Sequence, residues 1–82
     1  MKFTVVWHRR AEALLADIWI HAPDRQAVTV AAYRIEQALS FSLQDKGEDY
    51  FGDRLIIEEP LSATFAVYPD DRRVEILQVW HH

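Results

Sequence analysis

The chain has 82 residues, half of them hydrophobic, with 13 acidic against 9 basic side chains and a net charge of −4 with histidine neutral; this is enough for one domain, residues 1–82, and too little for two. No apolar run is long enough to cross a bilayer and no basic segment leads into an apolar one at the start, so the expectation is a cytoplasmic protein without a membrane partner. The absence of cysteine removes disulfides and thiolate metal sites as supports, and the acidic balance argues against a general nucleic-acid binder, whose affinity comes from clustered Lys and Arg.

Residues 2–7 alternate, with Phe3, Val5 and Trp7 on one side and Lys2, Thr4 and Val6 on the other, which predicts a first strand with a core face. From His8 the period changes. Ala11, Leu14, Leu15, Ile18 and Ala22 recur at helical spacing, giving a helix over 8–22 that Pro23 cannot continue. Asp24 is the expected N-cap of a second helix over 25–44, whose stripe is Val28, Ala31, Ala32, Ile35, Leu39 and Leu43. So short a break makes the two helices a hairpin.

"QDKGEDYFGD" holds both glycines and reads as one long loop. Beyond it, "RLIIEE", "SATFAVY" and "RVEILQVW" are three strands in an antiparallel meander, with a type I turn expected at Pro69, Asp70 and Asp71. The fold class is therefore α+β: an N-terminal strand, an α-helical hairpin and a three-stranded meander, four strands in all. The amphipathic stripes can be buried only if both helices pack on one face of this small sheet.

This element order, opened by "VVWHRRAEALLADIW" and closed by "YFGDRLIIEE" and "TFAVYPDDRRVEILQVWHH", resembles the RelE/ParE superfamily of type II toxin–antitoxin toxins over nearly the whole chain. The resemblance implies two helices on a small curved sheet whose opposite, concave face acts on the target. It also implies a role in plasmid stabilisation or growth control, and a cognate antitoxin as partner. RelE-like and YoeB-like members cut messenger RNA on the ribosome, whereas ParE-like members poison DNA gyrase and are not enzymes.

Transferred residue by residue, the resemblance makes His81 a candidate catalytic proton-transfer group, as in the YoeB type. Arg54, in the Gly-x-Arg at Gly52 to Arg54, becomes a candidate phosphate clamp, and Glu48 in the preceding loop a candidate base. The chain departs from the nucleases at Ser62, Ala63 and Thr64, where they carry a third-strand arginine, and the Tyr-Arg pair is absent. The reading is thus nearer ParE than RelE. The alternatives are a non-toxic interaction module of the same fold and a weak YoeB-like ribonuclease.

Bland roles compete with each candidate. Arg54 suits an ion pair with Glu48, Asp49 or Asp53 as well as a phosphate. His81 and His82 suit a solvated end or the remnant of a tag. A metal is not expected, because adjacent strand residues point to opposite faces, and no cofactor is implied. Trp7, Trp19 and Trp80 read as core or interface groups. More apolar side chains are present than two helices can cover, so a cognate partner peptide is expected in an exposed groove, and a homo-oligomer is a further partner to consider.

Overall fold

The computed structural model describes residues 2–41, 48–50 and 53–82. In chain order these form β1 (Thr4–Trp7), α1 (Arg9–His21), α2 (Arg25–Phe41), β2 (Glu48–Tyr50), β3 (Asp53–Glu58), β4 (Leu61–Tyr68), a 3₁₀ turn (Pro69–Asp71) and β5 (Arg73–His81). The strands make one five-stranded sheet in the order β1-β5-β4-β3-β2.

The helices begin where the side chains supply caps. Asp24 Oδ1 accepts the amide of Ala27 at 3.1 Å, the expected N-cap of α2. At the start of α1 the cap is His8, whose Nδ1 accepts from the Arg10 amide at 3.0 Å; this use of an imidazole was not anticipated. Arg25 then closes the hairpin. Its Nε and Nη2 donate to the carbonyls of Trp19 and Ile20 at 3.2 and 3.0 Å, and its guanidinium lies 4.7 Å from the centre of the Trp19 ring, so the last carbonyls of α1 and an exposed indole are both served by one side chain.

The core is a single layer between the helices and the sheet. Val28, Ala31, Ile35 and Leu39 of α2 meet Ile56, Leu61, Ala63, Phe65, Val74, Ile76 and Val79 of the sheet, while α1 contributes only Ala11 as a fully buried group, with Leu15, Ile18 and Ala22 packed partly against it. Both helices lie on that one face, as the stripes require. Phe3, just before β1, and Val5 and Trp7 of β1 also pack toward this core.

One feature differs from the sequence-based expectation: the sheet has a fifth strand, in which Glu48, Asp49 and Tyr50 pair antiparallel with Leu55, Arg54 and Asp53, inside the stretch read as loop. Three residues are too few to establish a period of two, and the charges that make the segment look like a loop are those that keep an edge strand from pairing with other chains. The expected end of α2 at residue 44, with Leu43 on its stripe, lies outside the described residues.

β1 joins the far end of the chain by pairing parallel with β5, Thr4 opposite Arg73 and Trp7 opposite Ile76. Ser40 anchors the start of β1 to α2: its Oγ donates to the Phe3 carbonyl at 2.9 Å, and its own carbonyl accepts the Phe3 amide at 2.9 Å. In the last hairpin a bulge between Thr64 and Phe65 shifts the register, so that Thr64 faces Gln78 and Phe65 faces Ile76. The extra residue on β5 keeps both Ile76 and Val79 in the core.

Candidate functional site

Because α1 buries so little of itself, it stands away from α2 and leaves a groove of about 680 Å³ along the outer surface of the hairpin. Leu15, Ala16, Trp19 and Ile20 form one wall, and Val28, Ala32 and Tyr33 the other. Ile20 is 55% exposed, Tyr33 60% and Trp19 41%, and three such apolar groups on one rim are unusual for a surface that stays in water.

Hydrogen bonds hold the groove open at both ends. At the hairpin end Trp19 Nε1 donates to Thr29 Oγ1 at 3.1 Å, and that hydroxyl donates to the Arg25 carbonyl at 3.1 Å. At the far end Trp7 Nε1 donates to Glu36 Oε2 at 2.9 Å. Glu12 lines this same far end from α1. Among the described residues neither Glu12 nor Glu36 takes part in an ion pair. The groove therefore offers apolar walls and carboxylate acceptors, and its indole N–H groups are already spent.

The opposite face of the sheet is assigned by the strand registers. Residues directly paired share a face, so Ser62 and Thr64, out of phase with the core positions Leu61, Ala63 and Phe65, point away from the helices. They are only 5% and 2% exposed, because β4 is central: Ser62 lies between Ile57 and Trp80, and Thr64 between Leu55 and Gln78. Arg73 and Glu75 of β5, with Tyr68 of β4 opposite Arg73, are the ionisable residues whose described side chains fall at this face's register positions. The Arg73 guanidinium stacks on the Tyr68 ring, 4.5 Å from its centre, and its Nε is buried with no hydrogen-bond partner among the described residues.

The sequence-predicted site residues fall elsewhere. Arg54 stands opposite Phe65, and His81 opposite Leu61, which puts both in phase with the core positions and on the helix side of the sheet. Their Cα atoms are separated by two strand spacings and four residues of rise, roughly 16 Å, and side chains standing perpendicular to a sheet do not converge. Apolar residues of the core lie between them. Glu48 is opposite Leu55 on β2, a strand and not the loop expected; its side chain is outside the described residues.

His81 instead lines a smaller cleft, about 280 Å³, beside Asp17, His21, Ala22 and Pro23 at the end of α1. His82 turns the other way: its amide donates to the Pro60 carbonyl at 3.0 Å and its Nδ1 lies 3.4 Å from Glu59 Oε2. The two closing imidazoles thus diverge. Among the described residues no three His, Asp or Glu side chains are disposed to hold a metal ion, and no helix among them is long and apolar enough to cross a membrane.

What the sequence-based reading missed is the groove's polarity. Glu12 and Glu36 were visible only as residues off an apolar stripe; that they line one end of the groove with Trp7 depends on the docking of α1 against α2 and on a bond between β1 and α2 that spans 29 residues.

No protein-family model matches the chain, and no curated protein matches it in sequence. Its fold, however, is shared with solved structures. A chain of the toxin–antitoxin complex RelBE2 from Mycobacterium tuberculosis superposes with a TM-score of 0.79 at 15% identity, covering 100% of this chain and 93% of that one. A chain of the chromosomal ParDE toxin–antitoxin system from P. aeruginosa superposes with a TM-score of 0.73 at 21% identity, covering 98% of this chain and 96% of that one. The chain has the RelE/ParE-type α+β fold.

Proposed function

We propose that this protein is the toxin-like component of a toxin–antitoxin pair, held inactive by an antitoxin that docks on the helical hairpin, and that it acts nearer to ParE than to RelE. The observation that carries the reading is the apolar groove between α1 and α2 on a chain of this fold: Trp19, Ile20 and Tyr33 lie exposed along it, and burying them would account for a stable partner complex.

The placement of polar groups supports the ParE-like side. Ribonucleolysis of the RelE type needs cations around a scissile phosphate and a group that moves a proton. On the open face Ser62 and Thr64 occupy the central strand, and Arg73 is the one cation there among the described residues of β1, β3, β4 and β5. Arg54 and His81 sit apart on the other side. A protein acting by binding, with DNA gyrase as the target, requires no such set.

The test is induction of the chain in bacterial cells with and without the product of the neighbouring gene. Growth arrest with DNA-damage signalling, relieved by the neighbour, is the expected result. Arrest accompanied by ribosome-dependent messenger RNA cleavage would replace the ParE-like reading with the nuclease one. No arrest at full expression would leave a non-toxic interaction module.

A further inference from the structure

The two ends of the groove carry opposite charge. Glu12 and Glu36 line one end, and neither has an ion-pair partner among the described residues. At the other end the Arg25 guanidinium lies over the Trp19 ring and donates to the carbonyls of Trp19 and Ile20. It too has no carboxylate partner among the described residues, and its Nη1 makes no hydrogen bond there. Between the ends each wall has an alanine at its midpoint: Ala16 on α1, halfway from Glu12 to Ile20, and Ala32 on α2, halfway from Val28 to Glu36. Each wall is about 12 Å long.

We propose that the chain pairs with a second copy of itself through this groove, about a two-fold axis that crosses the groove at the level of Ala16 and Ala32, so that the Arg25 end of each copy covers the Glu12 and Glu36 end of the other. Such an axis runs the two grooves antiparallel, with the small side chains at the crossing, where they permit close approach. Trp19, Ile20 and Tyr33, the exposed apolar groups of the rim, leave water in both copies at once. Arg25 lies three residues before Val28, which places it about 4.5 Å beyond the level of Glu36 on the facing copy, within reach of its side chain. The charges select this pairing over its rival. An axis running along the groove would gather four carboxylates at one end and two guanidiniums at the other; the crossing axis sorts the same six charges into two clusters, each of one Arg and two Glu.

The contact is small. Eleven residues line the groove, about half the number on one side of a standard interface, so the expected dissociation constant is on the order of 10 μM. A partner seated on the hairpin covers the same surface, so binding the partner takes the dimer apart. That consequence alone rests on the reading of the groove as the antitoxin site.

Sedimentation equilibrium of the full chain by itself, from about 1 to about 300 μM, reads the association. A monomer–dimer equilibrium is expected, weakening several-fold as salt rises from about 0.05 to about 0.5 M. Ile20→Asp, at a position already 55% exposed and so without cost to the fold by circular dichroism, should abolish the dimer over that range. Glu12→Arg and Arg25→Glu should each weaken self-association about tenfold. An equimolar mixture of those two variants should associate more tightly than either alone, because each end of the mixed pair again sets a cation against a carboxylate. Arg25→Gln, which keeps an amide donor for the α1 carbonyls, takes the place of Arg25→Glu if the latter loses its helical signal, and should weaken the dimer severalfold.

A monomer throughout the range, growth beyond a dimer, a dimer that survives Ile20→Asp, or a mixture no tighter than its components would each overturn the inference. It stands or falls separately from the toxin reading. A groove dimer formed by a chain that never arrests growth would sink the toxin reading alone, and arrest relieved by the neighbour, from a chain that stays monomeric, would sink only this one.

Discussion

Trp7→Phe removes one indole N–H and keeps most of an aromatic side chain. In the intact protein that N–H donates to Glu36 Oε2 at 2.9 Å, tying the end of β1 to the fourth turn of α2 at the open end of the groove. A hydrogen bond to a charged acceptor contributes about 1.5–3 kcal/mol when its surroundings are dry. Here both partners are half-buried, so water can replace the indole and the expected coupling falls to about 1 kcal/mol. The smaller ring forfeits roughly another 1 kcal/mol of burial, about 25 cal/mol for each Å², so Trp7→Phe should cost about 2 kcal/mol in all.

A double-mutant cycle with Glu36→Ala separates the two contributions. In the Glu36→Ala background Trp7→Phe should cost only about 1 kcal/mol, because the bond is already gone. Glu36→Gln should cost less than about 0.5 kcal/mol, since an amide oxygen still accepts. Urea unfolding followed by the remaining tryptophans provides the energies, and calorimetry provides the melting temperature, where 1 kcal/mol is about 4–8 °C for a domain of this size. A coupling below about 0.3 kcal/mol, or a Gln variant as unstable as the Ala one, would refute the claim that this bond braces the groove.

Phe65→Ala empties a fully buried site between Arg54 and Ile76 in the register, and should cost about 3–5 kcal/mol, enough to leave much of the chain unfolded at 37 °C by circular dichroism. Arg72 holds a left-handed backbone, φ 48°, so Arg72→Gly should raise stability by about 0.5–1 kcal/mol in urea, and a loss would show that its side chain matters more than its backbone. His81→Ala and Arg54→Ala should each leave growth arrest within about twofold of the parent; loss of ribosome-dependent RNA cleavage by roughly 10² in either variant would instead restore the catalytic roles suggested by resemblance.

The parts of this protein decided by short-range spacing were readable from the chain alone. The core face of β1, the apolar stripes on both helices, the break at Pro23, the Asp24 cap and the last hairpin all depend on residues within four or so positions of one another, where periodicity and capping chemistry act directly. Strand β2 was hidden, since three edge residues, two of them acidic, are too few to carry an alternation. What only the tertiary structure decided is how faces meet. The bulge at Thr64 and Phe65 is a one-residue matter of register between strands, yet register parity is what sends Arg54 and His81 to the helix side and leaves Ser62 and Thr64 on the open face. Likewise Glu12 and Glu36 become one acidic end of a groove through the docking of α1 against α2, a long-range packing outcome to which the local order of the sequence is blind.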